Sequence, residues 1–420
     1  MNKIKALSIF FNSYLNARKK MNRKEIDNQQ AHLFQKILPV LNSCQFYEKI
    51  AAKTINDFPI INKKIMNENF NRINTVGLDF EECMNLNKKA ESNRDFSNTI
   101  NDISIGSSSG TSGKPSLFAV SKLEQIIWAG SILGKTVSLL SSQNIALFLR
   151  SDNNLYNQLN LGFIKFNFFD LYNNIETEFE KLTKYKPTVL VAPAQVLKMI
   201  AIKQAEGKIN ITPKKIYSAA EVLDNQTKKL IEDVFNIKVG QIYQATEGFL
   251  GITCEHGQLH LNEESIIIEK KYIDEHRFIP IVTDLRRTTH PVIRYELDDI
   301  LRTHHKNCLC GRESIIIEQI EGRVGDTLLF KNSKQETVSI FSDTLLKMVT
   351  SIISYDIEFN IEQLDDNTIN LYISNKGSSD SIINSINQFL FNHDVHEVRW
   401  YVVDFVFNVK NKRRKIYRKT

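Results

Sequence analysis

Between Ile103 and Ile242, short apolar runs alternate with helix-like stretches, and this alternation narrows the available folds more than any other feature of the chain. Ile145–Leu149, Thr188–Val191 and Lys215–Tyr217 read as buried strands, while Leu123–Leu133 and Asn225–Phe235 read as helices. Buried strands separated by helices predict an α/β layered domain with parallel pairing. Beyond Glu264 the pattern becomes strand-rich, at Ile266–Glu269, Ile281–Thr283 and Ser314–Glu318. The C-terminal stretch reads as a small α+β unit, with strands near Ile369–Ile373 and Arg399–Phe407 flanking a helix near Ser381–Phe391. The opposite end, Met1 to about Ala52, reads as helical. At 420 residues the chain exceeds a single typical core, so two unequal domains are expected.

Hydrophobic residues at 42% and charged residues at 24% are ordinary for a globular protein and exclude a disordered chain. Part of the net charge of +6 sits in a basic tail formed by Lys410, Lys412, Arg413, Arg414, Lys415, Arg418 and Lys419. Such a tail suits nucleic acid, an acidic membrane or the phosphates of a small ligand. No apolar run approaches the roughly 18 residues of a membrane span. Lys3 and Lys5 precede a short apolar stretch, Ala6–Phe11, without a small-residue cleavage pattern, which predicts an amphipathic first helix and no signal peptide. Five cysteines make no disulfide framework, so a reducing compartment, the cytoplasm, is expected.

Chemistry concentrates in a few segments. Ser107-Ser108-Ser109-Gly110-Thr111-Ser112-Gly113-Lys114-Pro115 follows a short apolar strand and offers phosphate oxygens backbone N–H groups, hydroxyls and one ammonium. It is not a Walker loop, because Ser108 stands where that loop needs glycine and Pro115 follows the lysine. Downstream come Tyr243-Gln244-Ala245-Thr246-Glu247-Gly248 and Pro291-Val292-Ile293-Arg294-Tyr295-Glu296-Leu297-Asp298-Asp299-Ile300. Ile320-Glu321-Gly322-Arg323-Val324-Gly325-Asp326 follows, and last Lys415-Ile416-Tyr417-Arg418. No Ser/His/Asp or Cys/His nucleophile constellation is present in the sequence.

In this order the segments resemble the adenylate-forming enzymes, and within them the phenylacetate–CoA ligase branch, from about Pro59 to the C-terminus. The Tyr243–Gly248 segment, Leu259-His260-Leu261-Asn262-Glu263 and Ile340-Phe341-Ser342-Asp343 narrow the likeness to bacterial adenylate-forming proteins related to the synthetase that adenylates a deazaflavin coenzyme. The resemblance implies a large multi-layer adenylation domain, residues 1–322, and a small mobile α+β domain, residues 323–420. It implies ATP/AMP binding by Ser107–Lys114, by Tyr243 stacked on adenine, by Asp299 on the ribose hydroxyls and by Arg323. Thr246 would bond the α-phosphate, Glu247 would hold Mg²⁺, and Lys415 would bridge carboxylate and α-phosphate. Asp298 competes with Asp299, since adjacent residues on a strand face opposite sides. Lys410, Lys412 and Lys419 compete with Lys415, before which the family's glycine is replaced by Arg414. Gly325 stands where the family carries a pivoting Asp or Lys.

Cys254, His260, Cys308 and Cys310 form a tetrahedral structural zinc set of three thiolates and one imidazole, matching the zinc ligands of the same branch. His256 is the alternative imidazole. The implied reaction activates an aromatic or other small carboxylic acid as its acyl-AMP and passes it to a thiol, that of CoA first. Transfer to a carrier protein or a hydroxyl is the second expectation, and a non-catalytic, zinc-stabilised nucleotide-binding protein the third. No nucleic acid partner is expected, and a homodimer is allowed. The acid is expected near Phe148–Asn154 and Ile216–Glu221.

Overall fold

The computed structural model describes residues 3–108, 115–150, 164–304, 307–410 and 413–419. At its centre is a 12-stranded mixed sheet. Val239–Ala245, Lys215–Ala219, Val189–Ala192, Gln143–Leu149 and Ile164–Asp170 lie side by side in that order, all parallel. Parallel neighbours need crossovers, and the helices Ile175–Tyr185, Ala194–Ala205 and Asn225–Phe235 make those that follow Ile164–Asp170. From Val239–Ala245 the sheet continues antiparallel through Gly248–Thr253, Leu259–Leu261, Ile316–Arg323, Asp299–Thr303, Arg277–Asp284 and Ile266–Tyr272.

The register decides which side chains share a face. Ile145 lies opposite Val189 and Phe166, and Leu147 opposite Val191, which itself lies opposite Tyr217. Alternation along each strand puts these on one side, where they pack with Phe10, Tyr14, Ile132 and Leu133 beneath the helix Lys122–Thr136. Ala146, Phe148, Leu190 and Ile216 face the other way, into a second core under the crossover helices. Phe148 is therefore no part of the first face, contrary to the expectation that it borders the acid; it stacks on Phe169 with ring centroids 4.6 Å apart.

Lys122–Thr136 begins at a capping box, with Ser121 and Glu124 satisfying each other's backbone N–H groups. Its glycines allow close approach of the first helix, Lys3–Arg18. A Cβ on Gly134 would lie 2.4 Å from the Tyr14 carbonyl oxygen, and one on Gly130 2.7 Å from that of Phe10. The N-terminal region is not one continuous helix. It stops at Arg18 and restarts as Arg23–Asn42, where the Asn22 side chain caps the Glu25 N–H and Glu25 returns the bond. This second helix covers the antiparallel part of the sheet through Phe34, Ile37 and Leu41.

The strand Ile316–Arg323 is the last of the large sheet; the strands after it form separate two- and four-stranded sheets. In the latter, Arg399–Asp404, Thr368–Ile373, Phe359–Asp365 and Ile416–Arg418 lie in that order, with the helices Ser342–Ile352 and Ser379–Phe391 closing its core. Arg399–Asp404 ends short of Phe407 because its neighbour ends too, Ile373 pairing with Asp404. Among the described residues no helix is long and apolar enough to cross a membrane.

Gly134→Ala should destabilise the protein by about 1–3 kcal/mol, because the added methyl meets the backbone of the first helix and not a movable side chain. An unaltered midpoint in chemical denaturation would contradict this packing.

Candidate active site

Parallel strands all end at the same edge of a sheet, and clefts form where their carboxyl ends and following loops diverge. Here that edge opens into a cavity of about 520 Å³ whose walls include Ser107, Ser108, Tyr243, Thr246, Glu247, Asp299, Arg323 and Lys415. Ser109, Gly110, Thr111, Ser112, Gly113 and Lys114 lie outside the described residues. The flanks of that loop are described. Ile103–Ser107 and Leu117–Ser121 pair antiparallel, Ser107 opposite Leu117. The Ser108 N–H donates to the Ser116 carbonyl at 2.8 Å, and the Ser116 N–H to Ser108 Oγ at 2.9 Å. The described flanks, Ser107–Ser108 and Ser116, lie at the cavity wall.

Thr246 and Glu247 form the turn between Val239–Ala245 and Gly248–Thr253. Burial pushes the Glu247 carboxyl above its ordinary value, while the Thr246 hydroxyl, its own N–H and Arg287 pull the other way. An acid in that position gains from a cation, and a phosphate-bound Mg²⁺ needs few carboxylates, so the site fits one. Arg287 is buried and donates to the Thr246 carbonyl at 2.5 Å, bracing the turn.

Asp299 accepts the Tyr243 hydroxyl at 2.7 Å and lies 3.9 Å from Arg323 Nε. Burial, with the Asp299 carboxylate beside it, holds the Tyr243 phenol well above its usual value. Asp298 also lines the cavity, is more exposed than Asp299, and accepts the Val324 N–H through its carbonyl at 2.7 Å. Both aspartates therefore remain at the site.

Lys415 reaches the cavity through the edge strand Ile416–Arg418, and its Nζ lies 2.8 Å from Asp224 Oδ2. Asp224 caps the helix Asn225–Phe235, accepting the Thr227 N–H at 2.8 Å. Burial lowers the Lys415 ammonium below its ordinary value against the pull of Asp224. Burial raises the Asp224 carboxyl, but Lys415 and Thr227 outweigh it and leave it below. Neighbouring charges extend the contact. Arg413 and Lys198 each meet Glu358 at 2.5 Å, and Arg150 meets Glu221 at 2.6 Å. Arg414 pairs with Asp326 of the Val324–Asp326 turn. Gly325 in that turn has no left-handed φ, and a Cβ there would meet nothing within 4 Å.

Asp224, Arg287, Glu358 and Lys198 were not singled out from the sequence. Asp224-x-x-Thr227 carries a readable N-cap pattern. The others are ordinary charges until the fold buries them.

Away from the cavity, one donor atom each from Cys254, His260, Cys308 and Cys310 lie within 4.8 Å of one another. His260 Nδ1 is 3.1 Å from Ser314 Oγ, leaving Nε2, 3.4 Å from Cys310 Sγ, aimed at the thiols. Burial lowers its imidazole to about 4, keeping it neutral as a ligand must be. The backbone N–H groups of His256, Cys310 and Arg312 point at the sulfurs of Cys254, Cys308 and Cys310. His260, not His256, joins the cluster. Three sulfurs and one imidazole fit a closed tetrahedral metal site.

No family model matches the chain. Protein CapK of Staphylococcus aureus is 27% identical over 217 residues, 51% of this chain and 48% of CapK, so the match spans about half the length of that curated relative. Among solved structures, 2-hydroxyisobutyryl-CoA ligase in the postadenylation state, with its acyl-adenylate, has a TM-score of 0.67 at 14% identity. That match covers 96% of this chain and 91% of the ligase. The fold is that of the adenylate-forming ligases. The same ligase in its thioesterification state gives 0.57 at 16% identity over the same shares, 96% and 91%. The amide bond synthetase McbA of Marinactinospora thermotolerans gives 0.51 at 10% identity, covering 74% of this chain and 67% of McbA. The first of these structural matches covers 96% of the chain and so takes in both its large α/β part and its small C-terminal α+β part.

Asp224→Asn would leave Lys415 buried without its counter-charge, and faster amide exchange across Ile416–Arg418 is the expected result. Because the folded Asp224 carboxyl titrates below its unfolded value of 3.8, the stabilisation is complete above that pH and is lost as pH falls through the lower folded value. The difference between variant and native protein should therefore vanish in acid; equal exchange at neutral pH would contradict it.

Proposed function

We propose that the protein is an adenylate-forming ligase that activates a carboxylic acid with ATP and passes the acyl group to a thiol. One observation carries this reading. Ser107–Ser108, Thr246–Glu247, Asp299, Arg323 and Lys415 come from distant parts of the chain and line one cavity, in a chain with the ligase fold.

A carboxylic acid is already ionised at neutral pH, so no general base is required. The task is to bring two anions together and stabilise the charge that shifts between them. The acid's carboxylate oxygen attacks the α-phosphorus of ATP. The new C–O–P bond forms as the bond from the α-phosphorus to the α,β-bridging oxygen breaks, and pyrophosphate leaves with the electron pair. On this reading the Ser107–Lys114 loop binds phosphate, Asp299 the ribose hydroxyls, and Tyr243 orients Asp299 through its hydroxyl. Arg323 lies beside that carboxylate, Thr246 bonds the α-phosphate, and Lys415 meets both reacting anions once it leaves Asp224. Glu247 would hold Mg²⁺, which when bound supplies positive charge to the phosphates. In the second step a thiol, that of CoA first, attacks the acyl carbon and AMP departs.

We further read residues 323–420 as a unit that turns about Val324–Asp326 between the two steps. The higher TM-score to the postadenylation state, 0.67 against 0.57, supports assigning the present arrangement to the first step. Glycine at 325, which the present backbone does not require, is then kept for the second. Cys254, His260, Cys308 and Cys310 would hold a structural Zn²⁺, and a reducing compartment such as the cytoplasm would keep those thiols available.

ATP–pyrophosphate exchange across a panel of acids tests the reading, and thioester formation on adding CoA tests the acceptor. Glu247→Gln should lower exchange by about 10²–10³-fold; native-like exchange would remove the metal assignment. Purified protein should carry one zinc per chain, lost with a fall in thermal midpoint on Cys310→Ser. Metal-free native protein of unchanged stability would refute that site.

A further inference from the structure

The cavity does not end at the groups just described. It continues beneath the helix Lys122–Thr136, along the face of the parallel strands. On Gln143–Leu149 it is lined by Leu149, Leu147 and Ile145, alternate residues running inward from the carboxyl edge, and on the neighbouring strand by Val191 and Val189. Leu149 to Ile145 spans about 13 Å at a strand's rise. The roof gives the same length independently. Trp128, Ile132 and Thr136 sit at helical spacing on the lining side, and Trp128 to Thr136 spans about 12 Å.

The direction of the slot follows from its neighbours. Lys215 starts its strand, and its Nζ donates to the Thr136 carbonyl at 2.7 Å, so the Thr136 end lies at the amino edge of the sheet, away from Glu247. The inner end is apolar. Its lining hydroxyl, Thr136 Oγ1, is already bonded to the Ile132 carbonyl at 2.8 Å. The lining charges, among them Arg150, Lys198, Glu221 and Asp224, belong to segments at the carboxyl edge.

We propose that this slot takes the tail of the acid, and that the preferred substrates are unbranched aliphatic acids of medium chain length. The inference rests on the adenylation reading and narrows it. A carboxylate at Thr246–Glu247 directs its substituent inward between Ile132 and Leu147 towards Ile145 and Val189. A single aromatic ring attached there would stop short of that end and leave a dry apolar void. A flexible chain fills it, and each methylene buried adds to affinity.

The test is ATP–pyrophosphate exchange by the native protein on straight-chain acids from acetate to dodecanoate, with benzoate and phenylacetate as comparators. Relative kcat/KM should rise about fourfold per added methylene until the slot is full, and the aromatic acids should fall below the best aliphatic one. A flat series, or a maximum at an aromatic acid, overturns the slot assignment and leaves adenylation standing. No exchange with any acid overturns adenylation and the slot with it. Val189→Phe, which fills the inner end, should move the optimum to shorter acids, and Ile145→Ala, which enlarges it, to longer ones. The second variant guards against misfolding of the first, with thermal unfolding monitored for both. An optimum unmoved in a folded variant contradicts the proposal.

Discussion

Asp224 is buried and Lys415 partly so, and they meet at 2.8 Å although they stand 191 positions apart in the chain. Either charge buried alone would cost several kcal/mol, so the pair adds to the backbone pairing with Phe359–Asp365 that holds the segment around Lys415 in place. Glu358 lengthens the seam by holding Arg413 from that same C-terminal segment and Lys198 from a crossover helix. The cavity wall is therefore assembled from the middle of the chain and its C-terminal segment. The Lys415 ammonium in that wall is held by the Asp224 carboxylate.

The large sheet supplies what that seam closes upon. Parallel strands deliver their carboxyl ends to one edge, and the turn from parallel to antiparallel pairing falls at Thr246–Glu247. Asp299 and Arg323 then arrive opposite each other on paired antiparallel strands. The glycines of Lys122–Thr136 let the first helix lie close against it, and its other side roofs the slot. Packing far from the charged edge thus sets the depth available to a substrate, while the edge sets its chemistry.

Much of this was legible in the sequence because the signals were local. Gln143–Leu149, Val189–Ala192 and Lys215–Ala219 carry the short apolar runs of buried parallel strands, and Asn225–Phe235 has helical spacing behind an Asp cap. The Thr246-Glu247-Gly248 turn and the Cys/His spacing were visible for the same reason. What was hidden depends on partners distant in sequence. Arg287 looks like any surface arginine until the fold buries it against the Thr246 carbonyl. Phe148 and Leu147 are equally apolar, and only the sheet's facing separates a core residue from a cavity wall. The choice of His260 over His256 also needed pairing information, since His260 lies opposite Ile316 on the strand beside the Cys308–Cys310 segment.

The central claim is that a carboxylate attacks the α-phosphorus of a nucleotide held in this cavity. Supplying an accepted acid labelled with heavy oxygen in its carboxyl group, together with ATP and the acyl acceptor, follows that bond directly. The account predicts one heavy oxygen in the AMP released and none in the pyrophosphate. Label appearing in inorganic phosphate alongside ADP, or AMP free of label, would contradict it.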